Sequence, residues 1–220
     1  MSVTTVLQSA LYRFGQTEDN ARFKDDFYQA INDAQNDFCN LRSWGFLRTT
    51  TTLTTVDGTN TVALPTDFAT PYNINGGMVI STSGYSGNIV ELMPYEHWLV
   101  EHWEDGTEEG EPTYAYILGD YVYLSPTPDD EYTISFPYYK KPTTIDDSSD
   151  SITIPERYQE TLRKMIWRRL QDCGYASVTE MQISDADIQR LVANCAKDDI
   201  KRYGGMTFNL PGSSFTRSTI

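Results

Sequence analysis

The 220-residue sequence has few of the side chains that most often carry out chemistry. Its three cysteines, Cys39, Cys173 and Cys195, are an odd number without a close pair or metal-ligand spacing, so we expect them to be reduced and buried. The two histidines, His97 and His102, lack the spacing of a zinc-protease motif. We therefore expect no catalytic residue, no metal and no cofactor.

Long apolar runs are missing as well. No run approaches the roughly 20 residues that a membrane-spanning helix requires, and the first residues lack the basic and apolar regions of a signal peptide. Gly76 and Gly77 precede strand-like residues and not a lysine and a helix, so no phosphate-binding loop is indicated. We expect a soluble protein, made in a cytoplasm, without a membrane partner.

Basic residues are scarce: 17 lysines and arginines against 31 aspartates and glutamates give a formal net charge of −14. The imbalance lies between Phe46 and Asp150, where 3 basic residues face 17 acidic ones, whereas the flanking segments together hold 14 of each. Such a surface repels phosphate backbones and favours docking on a basic protein surface, although it also serves plain solubility. Broad nucleic-acid binding through the middle segment is therefore disfavoured.

Apolar residues at three- and four-residue spacing predict amphipathic helices near both chain ends. The first covers Val3 to Phe14 and ends at Gly15, and the second is capped by Thr17 and runs to about Arg42. We interpret the acidic face of the second helix as a solvated surface, with a metal or catalytic cluster as the alternative. The members of this face are Asp25, Asp26, Asp33 and Asp37.

Two later helices follow a polar link. The third opens at Ile154-Pro155 and ends at Gly174, and the fourth begins with a capping-box pattern of Ser177 and Glu180 and stops near Gly204. The third helix carries a concentrated basic group, and one face of it suits DNA phosphates, an acidic partner or plain solvent. The residues of this face are Arg157, Lys164 and Arg168.

Between the helices the pattern changes to that of strands. Thr49–Val56 and Thr59–Leu64 predict a hairpin over the Asp57-Gly58 turn. A short helix is expected from about Tyr95 to Trp103, followed by an exposed, mobile acidic loop over Glu104–Glu111. The other strands are expected at Met78–Ser81, Asn88–Leu92, Thr113–Leu118, Tyr121–Ser125 and Glu131–Tyr139. The last three are predicted to form a meander, whose alternating tyrosines favour packing and also suit sugar binding.

Together these patterns predict an α+β fold, in which an antiparallel helical bundle from both chain ends carries an inserted antiparallel β-sandwich or barrel-like domain. The segments are N-terminal bundle helices (1–45), an acidic β-rich insertion (46–150), C-terminal bundle helices (151–205) and an extended docking tail (206–220). The tail is nearly uncharged and lacks helical spacing, so its apolar residues suit a segment that orders on a partner.

Four short motifs lie within this layout: Leu64-Pro65-Thr66-Asp67-Phe68, Pro112-Thr113-Tyr114, Tyr138-Tyr139-Lys140-Lys141-Pro142 and Tyr203-Gly204-Gly205. With helices at both ends and a β insertion, they resemble the head-to-tail adaptor proteins of tailed bacteriophages, closest in type to the tail tubular protein A of podoviruses. The resemblance spans nearly the whole chain, and its motifs are diffuse turns and tyrosines.

The resemblance implies a non-enzymatic virion protein. Such adaptors form a dodecameric ring beneath the portal protein, extend the channel through which DNA passes without specific binding, and carry the tail nozzle or tail fibres. They are assembled in the bacterial host cytoplasm and lie at the tail vertex of the virion. The alternatives are a carbohydrate- or receptor-binding module of a phage tail, and an enzyme that uses the acidic loop with His97.

The resemblance also assigns contacts to residues of this chain. Portal contacts would fall on the tail residues Met206, Phe208, Leu210, Pro211 and Phe215. If the protein forms a ring, the basic face of the third helix adds an expected contact to another subunit or to the portal, on Arg157, Lys164 and Arg168. Contacts to a neighbouring subunit or to tail components would fall on Glu104, Asp105, Glu108, Glu109 and Glu111.

Overall fold

The computed structural model describes residues 2–72, 77–82, 84, 87–101, 108–176 and 183–203. The chain divides into a helical unit, residues 1–47 and 141–220, and a β unit, residues 48–140. The described helices are α1 (Val3–Phe14), α2 (Ala21–Asn40), α3 (Tyr95–Glu101), α4 (Gln159–Asp172) and α5 (Asp185–Tyr203). The described strands are β1 (Arg48–Thr54), β2 (Thr61–Ala63), β3 (Phe68–Pro71), β4 (Gly77–Ile80), β5 (Ile89–Leu92), β6 (Tyr114–Leu118), β7 (Tyr121–Ser125) and β8 (Thr133–Lys140). The predicted α+β class is thereby confirmed.

The first helix, α1, begins and ends where its sequence signals predict. The Ser2 side chain accepts a hydrogen bond from the Thr5 backbone N–H at 3.3 Å, which caps the first turn. Gly15 then takes a left-handed conformation with a φ of 61°, which glycine adopts at the lowest cost. This conformation lets the Gln16 N–H reach the Leu11 carbonyl at 2.9 Å and so closes the helix.

The second helix, α2, begins after Asn20 and not after Thr17. The Asn20 side chain accepts the Phe23 N–H at 3.1 Å, whereas the Thr17 carbonyl accepts the Asn20 N–H at 3.1 Å. The prediction of Thr17 as the cap is therefore wrong, because Thr17 lies in the turn before the helix and Asn20 supplies the capping oxygen. The helix ends at Asn40, close to the predicted end.

Aromatic and aliphatic side chains fill the core of the helical unit. Phe23, Phe27, Ile31 and Phe38 on α2 are fully buried. The apolar face predicted for the third helix is also buried, at Tyr158, Leu162, Met165, Ile166 and Leu170. Each such side chain contributes about 1.5–3 kcal/mol when it leaves water, so these faces stabilise the packing of the helices. A complete antiparallel bundle stays a prediction.

The last helix, α5, begins at Asp185. The Ser184 hydroxyl accepts the Asp187 N–H at 3.2 Å and donates to the Asp187 carboxylate at 2.7 Å, so Ser184 forms the cap. The capping pattern predicted at Ser177 and Glu180 lies outside the described residues. Ser184 and Asp187 provide the same type of pairing directly at the start of α5.

All eight described strands belong to one curled sheet, a half-barrel, where the sequence left a sandwich or a barrel open. The strand order is β1-β8-β4-β5-β6-β7-β2, with β3 also beside β8. Along β1, the pairing with β8 runs from Arg48 opposite Tyr139 to Thr54 opposite Thr133. Among the described strands β5 and β6 run parallel, so the prediction of an antiparallel domain is wrong for this pair. The connection from β5 to β6 includes α3 and lets β6 begin at the same end of the sheet as β5, as parallel pairing requires.

The first two strands do not form the long hairpin that the sequence predicts. The Asp57-Gly58 turn is present, with Gly58 at a φ of 70°, but β1 then pairs with β8 and β2 pairs with β7. Thr55 explains the separation, because its buried hydroxyl donates to the Asp130 carbonyl and accepts the Tyr132 N–H. These two hydrogen bonds hold the end of β1 beside the segment that leads into β8.

The last three strands do not form a meander. β6 and β7 are an antiparallel hairpin, with Tyr116 opposite Tyr123. The other edge of β7 pairs with β2, where Val62 lies opposite Val122, and β8 lies between β1 and β4. The meander prediction is wrong for β8 because turn residues set the local reversal of the chain and do not choose the pairing partner.

Alternate side chains of β8 form the centre of the β-unit core. Ile134, Phe136 and Tyr138 are at most 5% exposed, and the Phe136 ring stacks on Phe68 at a centroid distance of 5.8 Å. The Tyr138 hydroxyl donates to the Asp67 carboxylate at 2.7 Å. Burial, followed by this hydrogen bond, raises the pKa of Tyr138 to about 12.

Candidate docking surfaces

A buried ion pair fixes the last helix to the segment that follows α2. Arg42 and Asp199 lie 3.5 Å apart, and their side chains are 4% and 0% exposed. Arg42 also donates to the Ala196 carbonyl at 3.0 Å, and Asp199 accepts the Gly45 N–H at 3.1 Å. Burial raises the pKa of Asp199, whereas the Gly45 N–H and Arg42 lower it. The carboxylate therefore depends on two partners at a place where an unpaired charge is costly.

Gly45 allows the end of α5 to approach the backbone closely. A Cβ atom at this position would lie 2.3 Å from Cγ of Tyr203, so only glycine leaves room for the ring. The neighbouring Trp44 is fully buried, stacks on Phe38 at 4.4 Å and donates its indole N–H to the Phe38 carbonyl at 2.7 Å. Tyr203, the last described residue, thus lies directly against the Gly45 backbone, next in the chain to the buried Trp44.

Asp198 collects three donors next to Tyr203. It accepts the Tyr158 hydroxyl at 2.9 Å and Nε of Arg202 at 2.8 Å, and Nε of Arg157 lies 3.2 Å away. The Tyr158 hydrogen bond, followed by that of Arg202, lowers the pKa of Asp198. Arg157 also stacks over the Tyr158 ring at 4.6 Å and donates to the Tyr203 hydroxyl at 3.2 Å. These contacts make the end of α5 a fixed starting point for residues 204–220.

The three predicted basic contact residues differ in their surroundings. Arg157 is held by Asp198, and Arg168 lies 3.5 Å from Asp172 and 3.3 Å from Asp185. Lys164 is half-buried and has no ion-pair partner among the residues that the structure describes. Two of the three cations are therefore already paired within the chain, and the contact of this face with a subunit or the portal stays a prediction.

The acidic face of α2 is more than a solvated surface. Arg169 on α4 lies 3.5 Å from Asp33 and also pairs with Asp37. The Tyr175 hydroxyl donates to Asp26 at 2.6 Å, and this hydrogen bond raises the pKa of Tyr175. Asp25 and Asp37 are exposed, as the solvated interpretation predicts, and Asp26 and Asp33 are half-buried. Asp26, Asp33 and Asp37 also tie α2 to α4 and to the segment after it.

An apolar cleft of about 390 Å³ opens between α2, α4 and α5. Its lining comprises Asp37, Asn40, Leu41, Met165, Ile188, Gln189 and Val192. Met165 and Val192 are buried, whereas Leu41 is 36% exposed although it is large and apolar. Asp37 accepts Arg169, so the charge in the lining is paired within the unit. A cleft of this kind is suited to apolar side chains of a bound segment.

The predicted acidic contact residues lie in the β unit or outside the described residues. Glu108 and Glu109 are exposed, and the Glu108 carbonyl accepts the Thr127 N–H at 2.9 Å. The Glu111 carboxylate accepts the Asn88 side chain. Glu108 and Glu109 are thus exposed, as predicted, while residues 108–111 are held by hydrogen bonds in place of the mobile loop that the sequence predicts. Glu104 and Asp105 fall outside the described residues.

Aromatic side chains cluster on the β6–β7 hairpin. Tyr116 stacks on Tyr123 at 4.9 Å, and Trp98 and Tyr95 of α3 lie 4.6 and 5.3 Å from the Tyr116 ring. Burial raises the pKa of Tyr116. An apolar cleft of about 340 Å³ adjoins Tyr95. Its other lining residues, Phe68, Pro71, Leu92, Met93, Pro94 and Ile117, have no polar side-chain group, which suits packing better than sugar binding.

Reactive side chains do not gather into a recognisable site in the described ranges. No group of three or more His, Cys, Asp or Glu residues there is placed to hold a metal ion. His97 is exposed, and His102 lies outside the described residues. Cys39 and Cys195 are buried as predicted, and burial raises the pKa of Cys39 to about 12. The prediction is wrong for Cys173, which is exposed because α4 ends at this residue.

None of the described helices combines the length and the apolar character that crossing a bilayer requires.

The sequence analysis did not predict the residues that fix the end of α5. Arg42 and Asp199 are 157 positions apart, so no local pattern connects them. One signal was present: Val192, Cys195 and Asp199 fall on one stripe of α5, and an aspartate on an apolar stripe indicates a buried partner. The sequence signal for a close backbone approach at Gly45 was weaker, because a loop contains glycine for many different structural reasons.

Comparison with models of known protein families gives a match. The model of a family described as SU10 adaptor protein matches residues 1–203, which covers both units and stops at the last residue of α5. No curated protein matches the chain.

Proposed function

Because the chain belongs to the SU10 adaptor protein family, structural proteins of bacteriophages, we propose that it is the adaptor that joins the portal to the tail. Copies of the chain form a ring, of twelve subunits if it follows the tail tubular protein A type, and the ring continues the DNA channel. Its partners are the portal protein on one side and the tail nozzle or tail fibres on the other. The protein is assembled in the host cytoplasm and lies at the tail vertex.

The fixed end of α5 is the observation that carries this proposal. The buried Arg42–Asp199 pair and the packing of Tyr203 on Gly45 give residues 204–220 a rigid origin. Those 17 residues contain one charged side chain, Arg217, and several apolar ones. An uncharged, apolar segment that starts from a rigid point is suited to docking on a partner, since little of the supporting structure has to be ordered on binding.

The charge distribution supports the passage of DNA without binding. The β unit carries Arg48 and Lys140 as its only cations, among many carboxylates. Tight DNA binding depends on cations that neutralise phosphates, and an acidic surface lacks them. A ring that such a unit lines would therefore repel the backbone and let DNA pass.

The portal contact is tested by coexpressing the chain with the portal protein of the same genome and measuring the mass of the purified species by light scattering. We expect a portal-dependent ring. Replacing Phe208 and Leu210 with serine removes two apolar anchors worth about 1.5–3 kcal/mol each, so affinity should fall by roughly two to four orders of magnitude. The matched control replaces Ser213 and Ser214 with alanine in the same tail and should bind like the parent. Unchanged attachment of the Phe208 and Leu210 variant would remove the tail from the mechanism.

The second candidate function is a carbohydrate- or receptor-binding module, which the aromatic cluster around Tyr116 and the cleft beside Tyr95 favour. Sugar sites combine aromatic platforms with several polar groups that fix the hydroxyls. Tyr95 is the one lining residue of that cleft with a polar side-chain group. Glycan-array binding by the purified chain, lost in Tyr95→Ala, would favour this candidate over the adaptor.

A further inference from the structure

The tip of the β6–β7 hairpin, residues 118–121, presents two large apolar side chains to water. Leu118 and Tyr121 lie directly opposite each other on either side of the turn Gly119-Asp120. Directly opposite residues of an antiparallel pair have their side chains on the same face of the sheet, so these two form one apolar projection. They are 46% and 49% exposed, and the hairpin tip therefore keeps apolar surface in contact with water.

Backbone contacts fix the position of the hairpin tip. The Leu64 N–H donates to the Asp120 carbonyl at 2.9 Å, and Ala63 of β2 lies opposite Tyr121. Strand β7 is thus paired with β6 on one edge and with β2 on the other, up to the residue at which the hairpin turns. A projection that is already ordered loses little conformational entropy when it binds, so the hairpin tip is suited to insertion into a partner.

The cleft between α2, α4 and α5 matches the hairpin tip in size and in apolar character. Its volume of about 390 Å³ accepts a few side chains. Leu41 stays 36% exposed beside the buried Met165 and Val192, so apolar surface meets water here as well. Covering this surface with the hairpin tip would gain about 25 cal/mol for each Å² of apolar surface removed from water.

Opposite charges accompany the two surfaces. Asp120 in the turn of the hairpin tip is exposed, Lys164 on α4 is half-buried, and neither has an ion-pair partner within the described part of the chain. The Ser184 hydrogen bond lowers the pKa of Asp187, and the charge of Lys164 contributes to the same shift. Ile188, which follows Asp187, lines the cleft, so the ammonium group of Lys164 lies within electrostatic reach of this end of the cleft.

We propose that the hairpin tip of one copy inserts into the α2–α4–α5 cleft of a second copy, with Leu118 and Tyr121 in the cleft and Asp120 paired with Lys164. The hairpin tip belongs to the β unit and the cleft to the helical unit, so each copy binds one neighbour through its tip and another through its cleft. Head-to-tail contacts of this type produce rings when the rotation between copies closes. The contact would join the subunits of the adaptor ring, and in this respect it rests on the proposed function.

The distribution of charge favours the helical unit of a second copy over its β unit. The β unit carries two cations and fourteen carboxylates, whereas the helical unit carries fifteen cations and seventeen carboxylates. Two β units therefore repel each other, and an acidic tip meets much less repulsion on the nearly neutral helical unit. The carboxylate in the cleft lining does not oppose the docking, because Asp37 is paired with Arg169.

The small size of the contact determines how it is detected. Stable interfaces bury about 1,200–2,000 Å² in total, and a hairpin tip in one cleft covers much less. A single contact is therefore short-lived in solution, whereas each subunit of a closed ring makes the contact twice. Disulfide trapping suits such a contact, because covalent bonds accumulate from repeated brief encounters.

The test mixes two full-length chains that carry one introduced cysteine each. Both chains also carry Cys173→Ser, which removes the exposed thiol and leaves the buried Cys39 and Cys195. One chain has Asp120→Cys and the other has Lys164→Cys, so a disulfide takes the place of the proposed ion pair. With copper phenanthroline as oxidant, we expect a 120–164 disulfide between the two chains, identified by mass spectrometry of the digested product.

The matched control uses Lys197→Cys in place of Lys164→Cys, because Lys197 is an exposed lysine of the same unit and is not among the residues that line the cleft. We expect the 120–164 disulfide to form at least tenfold faster than the 120–197 disulfide. Adding Leu118→Ser and Tyr121→Ser to the first chain should remove this advantage. Both side chains are exposed, so the core of the β unit stays intact in this variant.

Two results would overturn the proposal. The first is an equal rate for the 120–164 and 120–197 disulfides. The second is a 120–164 disulfide that forms within a single chain, when one chain carries both cysteines at dilute protein.

Coexpression with the portal protein separates this contact from the proposed function. Preferred 120–164 trapping without portal attachment would support the contact between copies and contradict the adaptor role. A portal-dependent ring whose chains show no preference for the 120–164 disulfide would support the adaptor role and contradict the contact.

Discussion

Replacing Arg42 with methionine removes the cation that faces the buried carboxylate of Asp199. Methionine keeps the length and the apolar character of the arginine stem, so the change is mainly one of charge. Asp199 would keep the Gly45 N–H as its remaining partner, at 3.1 Å. The side chain of Asp199 is 0% exposed, so water does not take the place of the guanidinium.

The expected loss follows from this burial. Breaking a buried ion pair by removing one partner costs about 3–5 kcal/mol, whereas an exposed pair contributes about 0–1 kcal/mol. We therefore expect Arg42→Met to lower the free energy of unfolding by about 3–5 kcal/mol at pH 7. Arg202→Met is the matched control, because Arg202 lies on the same helix as Asp199 and forms an exposed pair with Asp198. Its cost should stay below about 1 kcal/mol.

The loss should depend on pH in a defined direction. Burial already raises the pKa of Asp199, and removing Arg42 removes a group that lowers it. The folded variant then holds a proton on Asp199 more tightly than the unfolded chain, whose carboxyl has a pKa of about 3.9. Stability of Arg42→Met relative to the parent should therefore rise as the pH falls from 7 towards that value, since protonation removes the unpaired charge.

Urea denaturation followed by tryptophan fluorescence measures this effect, because Trp44 is buried beside the pair. The midpoints of parent, Arg42→Met and Arg202→Met are compared at pH 7 and pH 5. Equal losses for the two arginine variants at pH 7 would refute the reasoning, as would a loss for Arg42→Met that grows on acidification.

Three further changes test other parts of the structure. Gly45→Ala places a Cβ against Tyr203 and should destabilise the chain by about 1–3 kcal/mol in thermal denaturation. Gly110→Ala should be near neutral, because its Cβ would lie 3.7 Å from Cγ of Pro126, an ordinary contact distance. Tyr138→Phe should remove one phenol with a pKa near 12 from the ultraviolet titration at 295 nm, and the parent should lose the stability linked to this phenol between about pH 10 and 12. A titration curve unchanged by this substitution would contradict the assigned pKa. Phe136→Ala should lower the free energy of unfolding in urea by about 3–5 kcal/mol. A loss below about 1 kcal/mol would contradict the central place of Phe136 in the core of the β unit.

Local signals predicted the helices well because they act within a few residues. Gly15 and Gly174 end α1 and α4 through left-handed conformations, and glycine is the residue that takes them at the lowest cost. The apolar faces of these helices follow from the 3.6-residue period alone. The cap of α2 was misplaced because Thr17 and Asn20 are both good caps and lie three residues apart.

Strand pairing was predicted poorly because its partners are distant in sequence. Seven of the eight described strands were predicted, and β3 (Phe68–Pro71), which lies between Pro65 and the end of its own run at Pro71, was missed. Locally β1 and β2 look like a hairpin, but they pair with β8 and β7 in the structure. The hydroxyl of Thr55, which joins the ends of β1 and β8, carries no sequence signal that separates it from the neighbouring threonines. The pairs that fix the last helix were missed for the same reason, since Arg42 and Asp199 come from opposite ends of the chain.

The two ends of the β unit lie side by side, because Arg48 at the start of β1 pairs with Tyr139 near the end of β8. Paired strands are about 5 Å apart, a gap that a turn of a few residues spans. A turn of this length, or any other domain with adjacent termini, therefore spans the gap that removal of residues 48–140 would leave. Such an exchange would change the surface of the β unit and leave α1, α2, α4 and α5 of the helical unit untouched.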